Sequence, residues 1–179
     1  ALAGSFIMTG EPLKYLLGYL NSSICKFYFK LISNSSGMGT IQWKKFALER
    51  MPIPKIDGDI QKLFEDKVTE ILNLRKKVEE IKTKLKVRII QNIKLVKFTN
   101  KLSNFYELSF KQFIEELKKQ KISLTLKQQD EWDKYFNDNK NMALNNLKKI
   151  TQLESEINTI IYKSFELNDD EIKLLENNL

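Results

Sequence analysis

The segment IQKLFEDKVTEILNLRKKVEEIKTKLKVRIIQNIKLVKF, residues 60–98, repeats apolar side chains every seven positions. The repeat consists of Phe64, Ile71, Val78 and Leu85, with Leu74 and Ile81 at the alternate position of the same stripe. A heptad pattern of this kind predicts one long helix with an apolar seam, and the seam is stable only when another helix covers it.

A second long helix with a similar pattern is predicted over residues 127–163. Its two seams are Phe136, Ala143, Ile150 and Ile157, and Trp132, Asn139, Asn146, Leu153 and Ile160. Asparagine at a seam position fixes the register of a helical pair at a cost in stability. Because each long helix buries its stripe best against the other, we expect an antiparallel, coiled-coil-like pair.

Three capping signals organise the rest of the helical part, each a Ser, Thr or Asn followed three residues later by Glu or Gln. They are Ser109 with Gln112 before a connector helix (109–120), Thr125 with Gln128 before the second long helix, and Asn168 with Glu171 before a short terminal helix (169–177). A cluster of aromatic residues near the connector is too apolar to stay exposed, so it packs on the helical pair or on a part of the protein outside this sequence. The cluster is Phe98, Phe105, Tyr106, Phe110 and Phe113.

Residues 1–57 predict strands as well as helices. Ala1–Thr9 is small and apolar, as in a buried strand, and Leu13–Ile32 has a helical spacing that residues 21–23 can divide in two. A short strand near residues 40–42 and an edge strand through Pro52 and Pro54 follow. The predicted fold class is therefore α+β, mostly α, with an incomplete small α/β domain over 1–57 and the helical pair over 58–179. Since Ala1–Thr9 reads like the middle of a strand, we expect a fragment of a longer polypeptide.

Composition limits the classes of function. The net charge of +7 comes from the first part of the chain, since residues 1–56 and 57–101 each carry +5 and residues 102–179 carry −3. A basic half favours contact with a polyanion, although lysine-rich helices are often simply soluble. The single cysteine, Cys25, excludes an internal disulfide, and the sequence shows neither a signal peptide nor an apolar run long enough to span a membrane. We expect a reduced, cytoplasmic setting without membrane contact.

No catalytic arrangement survives inspection of the residues. Without histidine, the usual serine or cysteine triads and histidine–metal sites cannot form. Gly37-Met38-Gly39 lacks the third glycine and the helix start of a dinucleotide loop. Two nuclease-like E-x-K triplets, at 80–82 and 116–118, lie inside helical stretches. Cys25 lies in an apolar helix and is expected to be a small core residue rather than a nucleophile. We therefore predict no catalytic, cofactor-binding or metal-binding residue in this chain.

A binding role rests on the stretch from Ser33 to Lys45, where small residues precede polar, aromatic and basic ones. Polar side chains there suit base edges and lysines suit phosphates, as in a DNA groove. The predicted DNA-binding residues are Ser35, Ser36, Thr40, Gln42, Lys44 and Lys45, supported by Lys26 and Lys30. The alternative is an ordinary turn at Gly37 and Gly39, with Trp43 in the core and solvated lysines.

The order of four motifs resembles the second half of a target recognition domain in restriction–modification enzymes. In order they are LLGYLNS (16–22), SGMGTIQ (36–42), MPIP (51–54) and the long heptad helix. The chain looks most like the C-terminal region of TaqI-like, Type IIG adenine-specific DNA methyltransferases, and a similar succession occurs in Type I specificity subunits. KLSNFYELSFKQF (101–113), QDEWDKYF (129–136) and residues 161–176 are also similar to the Type IIG tail.

The resemblance implies that this chain is part of an enzyme. The chain would bind double-stranded DNA and be linked to a methyltransferase core of the same polypeptide. In that family the core transfers a methyl group from S-adenosylmethionine to an adenine flipped out of the duplex. If the parent protein also contains a nuclease, the resemblance implies magnesium as a second cofactor. The Asn/Asp-Pro-Pro-Tyr/Phe motif and the cofactor-binding glycine motif are absent from this sequence, so the chain itself is expected to bind without catalysing.

A structural role is the alternative prediction. The helical pair would then be an oligomerisation or scaffolding module without direct DNA contact, and a homodimer would form through its seam. The residues facing the second chain would be Ile71, Val78, Leu85, Ile150 and Ile157.

Overall fold

The computed structural model describes residues 9–32, 48–93, 95 and 97–179. These residues form seven α-helices and a short 3-10 helix, Phe105–Glu107. The helices are α1 (Leu13–Leu20), α2 (Ser23–Ile32), α3 (Gly58–Ile93), α4 (Asn100–Ser103), α5 (Phe110–Lys118), α6 (Leu126–Ser164) and α7 (Asp169–Asn177).

The chain divides into two compact units. The first unit is Ala1–Ile71 with Gln152–Leu179, and the second is Leu72–Thr151. The first unit therefore contains the start of α3 and the end of α6, while the second contains the end of α3, the connector and the start of α6.

The second unit contains an antiparallel pair of helices. Residues 77–84 of α3 lie across a groove from residues 139–146 of α6, and residues 88–92 lie across from residues 128–135. Residue numbers fall along α6 as they rise along α3, so the two helices run antiparallel in this unit. The predicted seam residues Val78, Leu85 and Phe136 are buried here.

The aromatic cluster of the connector packs on this helical pair. Phe105 and Phe113 are buried, and their ring centroids lie 5.8 Å and 4.9 Å from that of Phe136 on α6. Of the two seam asparagines, Asn139 is 2% exposed and Asn146 is half-buried. The side-chain amide of Asn139 donates to the carbonyl of Tyr135 at 2.7 Å, and its Oδ1 is buried without a hydrogen-bond partner in the described structure.

The three capping predictions are confirmed. Ser109 with Gln112 and Asn168 with Glu171 form complete capping boxes at α5 and α7. At the start of α6, the Gln128 side chain accepts from the backbone N–H of Thr125 at 2.9 Å, and Thr125 Oγ1 accepts from the backbone N–H of Gln128 at 3.3 Å. These bonds satisfy helix-end donors that have no partner within the helix.

The first unit begins with two short helices, divided where residues 21–23 were expected to divide them. Ser22 Oγ accepts from the backbone N–H of Cys25 at 3.3 Å, as an N-cap does. The Asn158 side chain of α6 completes this end of α2. Its Oδ1 accepts from the backbone N–H of Ser23 at 2.9 Å, and its Nδ2 donates to Ser23 Oγ at 3.0 Å.

The predicted α+β class is wrong, because the fold is all-α: the residues that the structure describes contain no strand. The edge strand predicted through Pro52 and Pro54 is irregular chain over residues 51–57. Proline has no N–H to donate to a sheet, and the carbonyls of this segment bond to tyrosine side chains instead of a neighbouring strand. The strands predicted for residues 1–8 and 40–42 lie outside the described residues.

Gly18 provides the first stability test. A Cβ added there would lie 2.4 Å from Cε1 of Phe64 and 2.7 Å from Cγ2 of Val68, both buried on α3. Because neither side chain has room to move, we expect Gly18→Ala to lower the free energy of unfolding by about 1–3 kcal/mol in urea titrations. Gly58→Ala is the matched control, since a Cβ there meets nothing within 4 Å. Equal stability of the two variants would contradict close packing at Gly18.

Candidate nucleic-acid interface

Three tyrosine hydroxyls hold the proline segment between Arg50 and Pro54. Tyr15 Oη donates to the carbonyl of Pro54 at 2.6 Å, Tyr19 Oη to the carbonyl of Pro52 at 2.5 Å, and Tyr28 Oη to the carbonyl of Arg50 at 3.0 Å. The accepting residues are two positions apart, which is the spacing at which carbonyls of an extended chain face the same side. We call this set of three bonds the tyrosine ladder.

The tyrosine ladder was not foreseen from the sequence. The signal that could have revealed it is the four-residue spacing of Tyr15 and Tyr19, which puts both hydroxyls on one face of α1. Alternating prolines in the facing segment leave carbonyls that need donors from elsewhere. Neither pattern indicates the other on its own, because the partners are 33 and 39 residues apart.

The same region contains contacts between described residues that precede and follow the stretch 33–47. Tyr28 and Arg50 lie on either side of this stretch and are joined by their hydrogen bond, and Cys25 Sγ lies 3.5 Å from Met51 Sδ. Loops that carry recognition are held in this way by a fixed scaffold. The predicted DNA-binding residues Ser35, Ser36, Thr40, Gln42, Lys44 and Lys45 fall in this stretch and lie outside the described residues.

The two supporting lysines lie on α2, four residues apart and both exposed. Residues with this spacing share one face of a helix. Lys30 differs from Lys26 in having an internal contact, since its Nζ donates to the carbonyl of Asn178 at 2.6 Å. Arg50 and Lys55, which flank the proline segment, are also exposed and add positive charge to this end of the unit.

Burial keeps the titratable groups beneath the proline segment in their neutral forms. It raises the pKa of Tyr15 and Tyr19 above the ordinary value of 10.0, so both hydroxyls stay protonated to a higher pH than an exposed tyrosine. Burial also raises the pKa of the Cys25 thiol from 9.0 to about 12. Cys25 is fully buried beside Met51, as expected of a core residue rather than a nucleophile.

Two family models match the chain. The TaqI-like C-terminal specificity domain matches residues 6–53, the part that contains α1, α2 and the tyrosine-bound segment up to Ile53. The resemblance to a TaqI-like recognition domain is thereby confirmed. A specificity domain indicates a role in DNA recognition within a restriction–modification enzyme.

The second model covers most of the helical part. It is a domain of unknown function, DUF8810, and it matches residues 57–161 of the 179. The chain belongs to this family. Its matched range includes α3, α4, α5 and nearly all of α6, and it does not overlap the specificity-domain match. No curated protein and no solved structure matches the chain.

Two further features of the described residues bear on the site. Among them, no helix has the length and apolar character needed to cross a membrane. Nor do the described residues group three or more Cys, Asp or Glu side chains as a metal ion would require.

Tyr19 provides a test of the tyrosine ladder. Tyr19→Phe keeps the ring and removes the donor to the Pro52 carbonyl, so we expect the free energy of unfolding to fall by about 0.5–1.5 kcal/mol. Tyr106→Phe is the control, because the Tyr106 hydroxyl lies 3.5 Å from Asn104 Oδ1, at the limit of a hydrogen bond. Urea titration measures both. A Tyr19→Phe protein as stable as wild type would show that the bond adds nothing to stability.

Cys25 makes stability depend on pH. The unfolded thiol ionises near its ordinary pKa of 9.0, whereas the folded thiol ionises only near 12. The unfolded state therefore binds fewer protons above pH 9, and the free energy of unfolding falls as pH rises, by up to about 1.4 kcal/mol per pH unit. Urea titrations between pH 8 and 10 should show this decline. A parallel series on Cys25→Ala should be flatter, and equal slopes would exclude Cys25 as the cause.

Proposed function

We propose that this chain recognises the DNA target sequence for a restriction–modification enzyme of the TaqI-like, Type IIG kind. The observation that carries the proposal is the tyrosine ladder, which joins α1 and α2, before residues 33–47, to the segment Arg50–Pro54, after them. Binding residues are often carried on segments that a rigid scaffold positions, and the tyrosine ladder provides such a scaffold beside this stretch. The specificity-domain match over residues 6–53 includes this stretch.

Within this proposal, each residue type has a separate task. Ser35, Ser36, Thr40 and Gln42 offer donors and acceptors of the kind that read base edges in a groove. Lys44 and Lys45 follow directly and would bind phosphates, which position the protein without reading sequence. Lys26 is exposed on α2 and would add a phosphate contact. Lys30 would do so only by exchanging its bond to the Asn178 carbonyl for one to DNA.

The chemistry would belong to a methyltransferase part of the same polypeptide. That part would bind S-adenosylmethionine and methylate adenine, and a nuclease there would use magnesium. The sequence of this chain contains no glycine motif for the methyl donor, so its contribution is to bind and orient DNA. A restriction–modification enzyme acts on DNA in the cytoplasm, which is the compartment that we propose.

The test is a map of methylated adenines in genomic DNA from cells expressing the full-length polypeptide that carries this chain. We expect the wild-type protein to modify one defined motif. Gln42→Ala combined with Lys44→Ala should lose that motif or relax it at one or more positions, because a reading side chain and its neighbouring phosphate contact are both removed. Sequencing that detects methyladenine measures both results.

The matched control is Gln91→Ala combined with Lys148→Ala, an exposed glutamine and an exposed lysine of the second unit. It removes the same side-chain types and should leave the motif unchanged. A motif that both double variants retain would remove Gln42 from the reading role and Lys44 from the supporting phosphate contact. Absence of any methylation by a folded wild-type protein that forms stable dimers would favour the oligomerisation alternative. Against that alternative, Val78, Leu85, Ile150 and Ile157 are already buried within the single chain.

A further inference from the structure

The second unit has a strong excess of positive charge that the order of the sequence conceals. Residues 72–151 contain nineteen lysines and arginines and nine aspartates and glutamates, a net charge of +10. The rest of the chain contains eleven and fourteen, a net charge of −3. A net charge of this size on 80 residues repels itself and attracts polyanions. The second unit is thus the basic part of this chain.

Several of these charges lie close together near α4 and the C-terminal end of α5. Lys97, Lys101 and Lys119 line a cleft of about 430 Å³ together with Phe98 and Glu116. We call this the elbow cleft. All three lysines are exposed to solvent. A fourth, Lys86 of α3, has its Nζ 5.5 Å from the centre of the Phe98 ring, on the face that attracts cations.

One carboxylate holds two of the lysines in place. Glu116 is 8% exposed, and its Oε1 lies 2.6 Å from Nζ of Lys119 and 3.9 Å from Nζ of Lys101. Its hydrogen bond raises the pKa of Lys119, which therefore keeps its charge to a higher pH than a free lysine. Glu116 is the one carboxylate among the described residues that line the elbow cleft, against three lysines, and Glu115 acts on Lys119 from outside this lining. The lining therefore keeps a net positive charge.

The backbone of the elbow cleft is also fixed. The Gln120 side chain accepts from the backbone N–H of Lys97 at 3.1 Å and donates to the carbonyl of the same residue at 2.9 Å. Thr99 Oγ1 accepts from the backbone N–H of Leu102 at 3.3 Å and caps the turn that carries Lys101. The backbone that carries Lys97 and Lys101 is therefore ordered, which reduces the conformational entropy lost when these lysines bind a ligand.

We propose that the elbow cleft binds the phosphate backbone of double-stranded DNA. The second unit would then contribute affinity for DNA without reading bases. The proposal rests on the function proposed above, because a DNA-recognising first unit makes DNA the polyanion that this chain meets. Lysines bind phosphate as point charges, and backbone contacts of this kind carry no sequence information. The second unit would then be a second DNA-binding part of the chain.

The test compares binding of the full-length polypeptide to two duplexes of equal length, one with the methylated motif and one with that motif scrambled. Lys97→Gln combined with Lys101→Gln removes the longer of the two ion pairs of Glu116 and leaves its Lys119 pair in place, so this carboxylate keeps a partner. We expect both duplexes to bind more weakly by the same factor. The slope of log affinity against log salt should become shallower by about two, roughly one per lysine. The preference for the motif should stay unchanged.

The matched control is Lys76→Gln combined with Lys148→Gln, two exposed lysines of the same unit outside the elbow cleft. It removes the same net charge and should leave the salt slope near that of wild type. Equal losses in the two double variants would overturn a local site. An unchanged slope in the elbow variant would overturn it as well, while a retained motif preference would leave the proposed function standing.

Two other outcomes separate the proposals further. If the wild-type protein shows no preference for the motif, yet the elbow variant still flattens the salt slope, the recognition function fails and the elbow cleft stands. If the elbow variant keeps its DNA affinity but loses binding to vesicles rich in phosphatidylserine, the cleft serves an anionic membrane and the DNA proposal is overturned.

Discussion

The first unit depends on how a segment with two prolines obtains its hydrogen bonds. Pro52 and Pro54 cannot donate to a sheet, and their carbonyls still require donors where they are shielded from water. Tyr15 and Tyr19 supply those donors from a single face of α1. The helix must lie directly against the segment for this to work, so the position of α1 determines where the chain returns from residues 33–47.

Close packing sets the position of α1. Gly18 lets the helix approach Phe64 and Val68 of α3 within a distance that any Cβ would prevent. The Tyr15 ring packs edge-on against Phe64 with centroids 5.0 Å apart, and Tyr15 and Tyr19 belong both to the ladder and to the core. On the other side, the amide of Asn158 holds the start of α2. Residues from both family matches therefore build the frame around the candidate DNA-binding stretch.

The sequence predicts what is local and misses what is distant. The helix containing Phe64 and Leu85 and the cap at Ser109 follow from spacings of three to seven residues, which a helix turns into neighbours. The prediction of a strand through Pro52 was wrong because the missing backbone N–H donors are compatible with two arrangements. One is an edge strand, and the other is a segment whose carbonyls bond to tyrosine side chains. The contact of Lys30 with Asn178 spans 148 residues and has no sequence signal. The basic excess was assigned to residues 1–101 because only the fold shows that Gln152–Leu179 joins the first unit.

That return of the chain has a consequence for biosynthesis. The core of the first unit contains Tyr19 and Phe64 from the beginning of the chain and Ile157 and Ile161 from near its end. Phe64 and Ile157 are separated by about 90 residues, and the ribosome needs on the order of 5–20 seconds to synthesise that length at typical elongation rates. The candidate recognition frame thus cannot close before the residues up to Ile161 have left the ribosome. A polypeptide that stops before residue 152 would contain every residue of the specificity-domain match and still lack part of the core that supports it.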